Sequence, residues 1–257
     1  MKAKKHIFLP DSQVKPGVPL DHLTAAGNYI VEKQPDVVID AGDFGDMPSL
    51  SGYDPKGSKY HEGKRYLADI ESVHHGMNLL MTPLWEYNKK AKLNKHKTYN
   101  PQLEMLGGNH EDRIQRAVNH DPKLEGLMSL KDLKYEEFGW RVHPFLQPVI
   151  IDGIVYNHYF PSGQMGRPCS SAQAIISKYH MSCVAGHQQG RNVAYGKRGD
   201  GKTITSIIAG SFYQHEEEYL NPVTNNHWRG LIVLHEVNDG QFDEMWVSIN
   251  YLLRRYL

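Results

Sequence analysis

The chain has 257 residues, which is enough for one large α/β domain or two small ones with a substantial core. Lysine plus arginine and aspartate plus glutamate each number 29, so no global basic field marks a nonspecific binder of nucleic acid or of anionic membranes. Two cysteines are too few for a disulfide framework or a cysteine zinc site.

Short apolar runs that end in polar turns predict buried β-strands along the chain. In chain order they are His6–Leu9, Asp36–Asp40, Leu103–Leu106, Val149–Tyr156 with a turn at Asp152-Gly153, and Ser182–Val184. Between the first two, Asp21–Lys33 carries apolar residues at helical spacing and is followed by the stop signal Pro35. This β-α-β order predicts that the first two strands are parallel neighbours whose turns share one edge of a sheet.

Two regions interrupt this rhythm. Met47–Arg65 is rich in Gly, Ser, Tyr, Pro and Lys, which predicts a long loop that leads into a helix at Tyr66–Met81. Tyr87–Asn100, with the sequence YNKKAKLNKHKTYN, has five lysines and is interpreted as a basic loop. This loop is either a solvated lysine-rich face or a contact for the phosphate backbone of a nucleic acid.

The end of the chain predicts two further strands, Gly230–Val237 and Met245–Tyr251, with a turn at Asp239-Gly240 between them. No internal repeat or low-complexity linker divides the sequence, so residues 1–257 are predicted to form a single domain. No run approaches the ~18 apolar residues of a membrane span, and the first apolar run is too short for a signal peptide. We therefore expect a soluble, cytoplasmic protein with no membrane partner.

Side chains that can bind metals follow five of the predicted strands. In chain order they are Asp11 and Gln13, Asp43, Asn109 and His110, His158, and His187 and Gln189. Because the carboxyl ends of parallel strands meet in one crevice, these side chains are expected to converge. A single histidine in a turn is more often a satisfied polar residue than a ligand. Five strand ends that each carry such a group, most of them beside a glycine, predict a metal site.

The same residues form five short motifs. They are Asp11-x-Gln13, Gly42-Asp43, Gly108-Asn109-His110-Glu111, His158 and Gly186-His187-x-Gln189. Their order over residues 6 to 190 resembles the calcineurin-like metallophosphoesterase superfamily, whose pattern is Asp-x-His, Gly-Asp, Gly-Asn-His-Glu, His and Gly-His-x-His. The local sequences PDSQVKPGVP, GDFGDMPSLSGYD and HWRGLIVLHEV are similar to those of the phage- and prophage-encoded members. The resemblance implies an α/β (α+β) fold, a metallophosphoesterase-type sandwich of two mixed β-sheets flanked by helices.

The resemblance also implies two metal positions that share one bridging carboxylate. One consists of Asp43, Asn109, His158 and His187. The other consists of Asp11, Gln13, Asp43 and Gln189. The first suits a tightly bound Mn, Fe, Ni or Zn ion. In the second, two glutamines stand where the family has histidines, and neutral amide oxygens favour a weak or exchangeable Mn, Mg or Ca ion.

Two residues of the Asn-His-Glu region are candidates for contact with a substrate. His110 can protonate a leaving alkoxide or contact the phosphate, and the alternative is a residue at the start of a helix, next to Glu111. Arg113 can steady a phosphate oxygen, or it can pair with Glu111 or Asp112 on a helix surface. Two further residues are candidates for supporting contacts, Asp46 and His215.

These expectations define two functions. The first is a metal-dependent phosphoester hydrolase, with a preference for a nucleotide or nucleic-acid phosphodiester that is attacked by a metal-activated water. Phosphate monoesters and cyclic nucleotides are alternative substrates. The second is a catalytically weakened module that binds phosphate or nucleic acid and keeps the fold and one metal site. Hydrolysis of p-nitrophenyl and bis(p-nitrophenyl) phosphate with added metals separates the two.

Overall fold

Two mixed β-sheets flanked by helices form the framework of the protein. The computed structural model describes residues 3–52, 59, 62–217 and 222–257. In chain order the strands are β1 (Lys4–Leu9), β2 (Val37–Asp40), β3 (Gln102–Leu106), β4 (Arg141–His143), β5 (Val149–Ile151), β6 (Ile154–Asn157), β7 (Pro161–Ser162), β8 (Arg167–Pro168), β9 (Cys183–Ala185), β10 (Arg191–Lys197), β11 (Thr203–Ala209), β12 (Gly230–Asn238) and β13 (Gln241–Ser248). The α-helices are α1 (Asp21–Lys33), α2 (Tyr66–Leu93), α3 (Asp112–His120), α4 (Ala172–Tyr179), α5 (Pro222–Asn225) and α6 (Ile249–Tyr256). Short 3-10 helices lie at Pro48–Leu50, Pro122–Leu124, Leu130–Leu133 and Tyr135–Phe138.

The strand order mixes parallel and antiparallel neighbours in both large sheets. The six-stranded sheet has the order β13-β12-β1-β2-β3-β4, and its last four strands are parallel to one another. The five-stranded sheet has the order β10-β11-β9-β6-β5, in which β11, β9 and β6 are parallel. The predicted fold class, a sandwich of two mixed sheets with flanking helices, is confirmed.

The alternation of side chains in β1 builds the core on both faces of the six-stranded sheet. Ile7 and Leu9 pack in a cluster with apolar residues of α1 and α2. Phe8 turns to the opposite face and clusters with Ile39 of β2 and Val184 of β9, so it lies between the two sheets. Strands that are buried on both faces read as continuous apolar runs, which is the pattern that identified them in the sequence.

Several elements agree with the sequence predictions. Helix α1 has the predicted bounds, Asp21–Lys33. Strands β1 and β2 are parallel neighbours, so the turns that follow them lie at the same edge of the sheet. The predicted turn at Asp239-Gly240 joins β12 to β13, and both of its residues have positive φ, as a tight hairpin turn requires.

Helix α2 corrects two predictions. It continues beyond the predicted end at Met81, through Pro83, to Leu93. The proline removes one backbone hydrogen bond, but buried Leu80, Leu84 and Ala91 extend the apolar face of the helix, and this packing keeps the helix intact. The first half of the segment Tyr87–Asn100 is therefore helical and not a loop.

Asn88, in the helical half of the lysine-rich segment, holds the remainder of the segment in place. The Asn88 side chain bonds both the N–H and the carbonyl group of Tyr99, at 2.8 Å each. The Tyr99 hydroxyl donates to the carbonyl oxygen of Pro35 (2.7 Å), which ties the segment to the start of β2. All five lysines of the segment are exposed to solvent.

Two more predictions meet the described structure in part. The predicted strand Met245–Tyr251 is wrong after Ser248, because Ser248 accepts a hydrogen bond from the Tyr251 N–H (3.3 Å) and caps α6 instead. In the predicted loop Met47–Arg65, residues 53–58, 60 and 61 lie outside the described residues. Among the helices that the structure describes, none has the length and apolar character that a membrane crossing requires.

Candidate metal centre

The turns after β1, β2, β3, β6 and β9 meet at one end of the sandwich. The His187 N–H donates to Asp11 Oδ1 (2.9 Å), which joins the turn after β9 to the turn after β1. The His110 N–H donates to Asp43 Oδ1 (2.8 Å), which joins the turns after β3 and β2. His158, after β6, bonds the turn after β2 through the Ala41 carbonyl oxygen. The parallel strands thus bring the predicted residues into one crevice.

Asp43 lies in a turn that suits aspartate. Its φ of +52° is a left-handed conformation that Asp and Asn adopt more readily than most residues. Gly108 passes so close that a Cβ there would lie 2.2 Å from Asp43 Oδ1, so this position requires glycine. Burial alone would raise the pKa of Asp43, but the nearby His110 ring and the hydrogen bond from the His110 N–H lower it, and the carboxyl group is ionised.

Two imidazoles and an amide oxygen face the Asp43 carboxylate. His158 Nε2 lies 3.4 Å from Asp43 Oδ2 and 2.8 Å from Asn109 Oδ1. His187 Nδ1 lies 2.7 Å from the same amide oxygen. One ligand atom from each of Asp43, His158 and His187 lies within 4.8 Å of the other two. Burial lowers the pKa of both histidines, that of His187 to about 4, so both rings are neutral, as metal ligands must be.

The tautomer of His158 indicates that this cluster fits a cation. Its Nδ1 lies 2.9 Å from the Ala41 carbonyl oxygen, which can only accept a hydrogen bond, so Nδ1 carries the proton. Nε2 therefore turns a lone pair towards the oxygens of Asn109 and Asp43, and a cation among them would replace this repulsion with attraction. Two imidazoles, a carboxylate and an amide oxygen are a donor set for a divalent transition metal. Asp43, His158 and His187 thus form a possible metal site.

The second predicted position is only partly assembled. Asp11 and Gln13 are buried, and Asp11 Oδ2 and Gln13 Oε1 have no hydrogen-bond partner in the described part of the chain. Burial and the Asp43 charge raise the pKa of Asp11 well above its usual value. Unpaired buried oxygens are costly, and a hard cation would satisfy them. Gln189 has another partner, because its Oε1 accepts a hydrogen bond from the Tyr213 hydroxyl (2.9 Å).

His110 lies beside the cluster and is held by a carboxylate of its own. Its Nδ1 lies 2.7 Å from Asp46 Oδ1, and its Nε2 lies 3.7 Å from Asp43 Oδ2. Burial alone would lower the pKa of His110, but the Asp43 charge and the hydrogen bond to Asp46 raise it to about 9. Nδ1 donates to Asp46, and Nε2 is directed at the Asp43 side. Helix α3 begins only at Asp112, so His110 is not one of its residues.

Arg113 supports the same carboxylate. The residue is 8% exposed, its Nη1 donates to the Asp46 carbonyl oxygen (2.7 Å) and lies 3.5 Å from Asp46 Oδ1, and its Nη2 lies 3.3 Å from His110 Nε2. The guanidinium is therefore turned inwards to Asp46 and His110, and not towards Glu111 or Asp112 on the helix surface. Contact between Arg113 and a substrate phosphate stays a prediction.

Glu111 holds the turns together, a role that the sequence analysis did not assign. Its Oε2 accepts hydrogen bonds from the N–H groups of Asp43 (2.9 Å) and Gly108 (3.1 Å), and its Oε1 accepts from Gly45 (2.9 Å) and from the Tyr135 hydroxyl (3.1 Å). Burial and the Asp43 charge raise the pKa of Glu111 to about 7. In the sequence, the only indication of a role for Glu111 was its place in the Asn-His-Glu motif. The motif does not indicate which groups Glu111 bonds.

A lysine and a glutamate complete the surroundings of Asp46, and the sequence analysis found neither. Lys15 Nζ lies 3.0 Å from Asp46 Oδ2 and 2.8 Å from each carboxylate oxygen of Glu217. The predicted supporting residue His215 joins this group through its Nε2, which lies 2.7 Å from Glu217 Oε1. The His215 ring also stacks on that of Tyr213 (4.5 Å between centroids), so His215 is connected to the centre through neighbouring side chains and not by direct contact.

Comparison with known proteins gives structural similarities and no sequence match. No family model matches the chain, and no curated protein matches it. The fold is similar to that of a conserved uncharacterised protein from Streptococcus pneumoniae, described as a predicted phosphoesterase, with 12% identity, coverage of 97% of this chain and 92% of that chain, and a TM-score of 0.40. It is also similar to a dimetal phosphatase from Danio rerio, with 11% identity, coverage of 97% and 100%, and a TM-score of 0.40. Identity and TM-score are low in both cases, so the function proposed below rests on the side chains of this chain.

Proposed function

We propose that the protein is a metal-dependent phosphoester hydrolase that prefers phosphodiesters. The observation that carries this proposal is the convergence of Asp43, His158 and His187, whose ligand atoms lie within 4.8 Å of one another. The imidazole of His110 lies beside them, with Nε2 at 3.7 Å from Asp43 Oδ2. A cation site next to a proton donor is the pairing that hydrolysis of a phosphate ester uses.

The residues would hold two divalent ions. Asp43, Asn109, His158 and His187 are the ligands of the first. Asp11, Gln13, Asp43 and Gln189 are the ligands of the second, which we expect to be weaker because its glutamines are neutral donors. The chemistry that such ions supply when bound is stabilisation of negative charge on the phosphoryl oxygens and a lowered pKa of the attacking water.

His110 is the proposed proton donor. Hydrolysis forms a bond between the water oxygen and phosphorus and breaks the bond between phosphorus and the leaving oxygen, which takes up a proton when it is an alkoxide. The bond from Nδ1 to Asp46 (2.7 Å) leaves Nε2 as the end of the ring that can deliver that proton. The leaving group of a nucleotide or nucleic-acid phosphodiester is an alkoxide, which is a poor leaving group. Hydrolysis of these substrates therefore gains most from this proton transfer. Arg113, whose Nη2 lies 3.3 Å from His110 Nε2, is the proposed contact for a phosphate oxygen.

Nucleic acid is one form of this substrate. The lysines of Tyr87–Asn100 are the residues for which the sequence predicts a contact with a phosphate backbone. The first half of this segment is helical, and its five lysines are exposed to solvent. We expect lysine-to-glutamine changes there to weaken binding of single- or double-stranded DNA and to leave hydrolysis of small esters unchanged. The similarity to phage- and prophage-encoded members stays a prediction.

A metal-dependence assay tests the function. The protein is stripped by exhaustive chelation and assayed on p-nitrophenyl and bis(p-nitrophenyl) phosphate, with Mn²⁺, Ni²⁺ or Mg²⁺ added back. We expect hydrolysis only after a metal is restored, with the diester preferred. Undiminished hydrolysis after chelation would contradict metal dependence.

The second candidate is a binding module that keeps the fold and one metal site. The observation that favours it is the bond from Tyr213 to Gln189 Oε1, which engages one ligand of the second metal position. Complete inactivity across metals and ester classes, together with retained binding of phosphate or of DNA, would support this candidate over the hydrolase.

A further inference from the structure

The carboxylate of Asp46 is held on two sides, and only one of them faces His110. Its Oδ1 lies 2.7 Å from His110 Nδ1, and its Oδ2 lies 3.0 Å from Lys15 Nζ. Arg113 fixes the backbone of the same residue through its carbonyl oxygen (2.7 Å). The side chains of Asp46 and Lys15 are 9% and 18% exposed, so little water is present to replace a lost partner.

The Lys15 ammonium group has no donor left for a substrate. A lysine carries three N–H bonds, and three carboxylate oxygens surround this one, at 2.8 Å and 2.8 Å from Glu217 and at 3.0 Å from Asp46. Binding a phosphate oxygen, which a lysine ammonium group can do, would break one of these bonds. The contacts of Lys15 are therefore those of a residue that holds Asp46.

Glu217 is itself fixed, so it can serve as an anchor. The Asn225 side chain accepts from the Glu217 N–H (2.9 Å) and donates to the Glu217 carbonyl oxygen (2.9 Å). His215 Nε2 lies 2.7 Å from Glu217 Oε1, and the Glu217 side chain is 4% exposed. Lys15 lies between the carboxylates of Asp46 and Glu217, and Arg113 Nη1 lies 3.5 Å from Asp46 Oδ1, so both carboxylates have a permanent cation beside them.

We propose that Lys15 and Glu217 are positioning residues, which hold the Asp46 carboxylate in the orientation that accepts the hydrogen bond from His110 Nδ1. Lys15 acts on Asp46 directly, and Glu217 acts through Lys15. Without them Asp46 Oδ2 loses its partner and the carboxylate rotates. The His110 Nδ1–H then keeps only its longer contact with the Asp46 carbonyl oxygen (3.0 Å), and the ring is held less firmly with Nε2 towards the Asp43 side. This proposal rests on the proposed function, since His110 is the proton donor there.

The test compares Lys15→Met, Lys15→Arg and Glu217→Gln with the parent protein on diesters whose leaving groups span a range of pKa. We expect Lys15→Met to lower kcat for alkoxide leaving groups by about 10-fold to 100-fold, the range found for small displacements of an aligned group. The loss should shrink for p-nitrophenolate, which needs little protonation, and KM should not change. Lys15→Arg should retain most of the activity, because it keeps the positive charge between the two carboxylates. Lys4→Met, which removes a lysine paired with the remote Asp152, is the matched control.

A double variant separates positioning from charge balance. Lys15→Met leaves two buried carboxylates without their shared cation, which can unfold the protein, whereas Lys15→Met with Glu217→Gln removes one charge of each sign. We expect the double variant to fold and to show the same leaving-group-dependent loss as Lys15→Met. A double variant with parental kinetics would overturn the proposal, as would a loss of equal size for all leaving groups.

A second readout does not depend on activity. In protein labelled with ¹⁵N-histidine, the His110 Nδ1–H proton, assigned with His110→Asn, should give a protected downfield signal in the parent protein. We expect it to broaden or vanish in Lys15→Met and in the double variant, and to persist in Lys4→Met. An unchanged signal in Lys15→Met would overturn the positioning role even if the parent protein hydrolysed no ester. Inactivity of the parent protein would overturn the proposed hydrolase alone.

Discussion

Asp43 carries the greatest weight of any residue, because both proposed metal positions use its carboxylate. Loss of a residue that merely orients a metal ligand costs about 10–100-fold in metal affinity or activity. We expect Asp43→Asn to exceed that loss in kcat/KM while leaving the fold intact, since asparagine also tolerates the φ of +52°. Metal content and kinetics check this prediction, with Asp200→Asn on the exposed surface as control. Full activity in Asp43→Asn would remove the residue from a bridging role.

His110 is predicted to act on the leaving group and not on metal binding. We expect His110→Asn to lower kcat by roughly 10²-fold or more for alkoxide leaving groups, while metal content stays normal. The loss should be smaller for p-nitrophenolate. His120→Asn, an exposed histidine at the end of α3, serves as control. An equal loss for every leaving group would indicate that His110 binds the phosphate instead.

Among single residues, the sequence was informative where a motif exists and silent where the contact is long-range. The metal-ligating residues after the strands could be predicted, because each of them directly follows an apolar run in the sequence. The ends of parallel strands share one edge of the sheet, so these residues were expected to lie together. Lys15 and Glu217 are 202 residues apart, and no spacing rule connects them. Glu111 lies inside a motif, but its four hydrogen-bond donors come from two turns and a 3-10 helix.

At the scale of elements, continuous apolar runs and clean helical spacing were sufficient for β1, β2, β3, β6, β9 and α1. Strands β10 and β11 were not predicted, because their sequences RNVAYGK and TITSIIA are mixed with polar residues and pair as a hairpin at the edge of the sheet. Helix α6 was predicted as part of a strand, because the apolar pattern of Met245–Tyr251 does not reveal the cap at Ser248. The end of α2 was placed too early, since proline normally ends a helix.

The contact between α1 and α2 gives a prediction at this scale. A Cβ at Gly27 would lie 2.3 Å from the Leu80 carbonyl oxygen and 2.9 Å from Pro83, so the two helices are in contact at the glycine. Gly27→Ala gains helix propensity of about 1 kcal/mol, but we expect the forced separation to outweigh it and to destabilise the protein by about 1–3 kcal/mol.

Gly76 in α2 is the matched comparison for Gly27. A Cβ there would meet only the side chains of Leu23 and Val14, each at 3.1 Å, and these can shift. Gly76→Ala should therefore cost much less, or stabilise the protein slightly. Urea unfolding of both variants measures the difference, and equal effects would show that the approach of the backbones is not what limits this position.

The stability of the whole molecule should fall in mild acid, in part through His22. This side chain is buried against Phe212 and bonds Gln214 Oε1 through Nδ1 (3.1 Å), and burial lowers its pKa from 6.5 to about 4. In the unfolded chain His22 therefore binds a proton below pH 6.5, whereas in the folded protein it binds one only below about pH 4. The free energy of unfolding thus decreases as the pH falls through this window, by up to about 3 kcal/mol.

Replacement of His22 isolates this contribution. We expect the free energy of unfolding of His22→Gln to depend less steeply on pH between 6.5 and 4 than that of the parent protein, while the exposed His96→Gln retains the parental slope. Urea unfolding at several pH values, with chelator present to exclude effects of metal binding, gives both slopes. Equal slopes for His22→Gln and the parent protein would show that His22 is not a source of the acid sensitivity.

Metal binding should stabilise the whole molecule in two stages, because the two positions differ in their ligands. We expect the purified protein to hold about one metal ion tightly, at Asp43, Asn109, His158 and His187, since imidazoles bind late transition metals better than amide oxygens do. The second position should fill only with millimolar Mn²⁺ or Mg²⁺, an order-of-magnitude expectation for an oxygen-rich site. A ligand at 100 times its Kd adds about 2.7 kcal/mol to the free energy of unfolding, so each stage should appear as a separate rise in Tm.

The two glutamines decide whether this difference is built into the site. Gln13→His with Gln189→His replaces two neutral oxygens by imidazoles, and the second change also removes the acceptor of the Tyr213 hydroxyl. We expect the double variant to bind the second ion more tightly and to prefer Zn²⁺, Ni²⁺ or Mn²⁺ to Mg²⁺. Calorimetric titration of stripped protein, with metal analysis of the purified protein, measures both stages. Tyr213→Phe is the control, because it frees Gln189 Oε1 without adding a ligand. Two equally tight ions in the untreated parent protein would show that the glutamines do not weaken the second position.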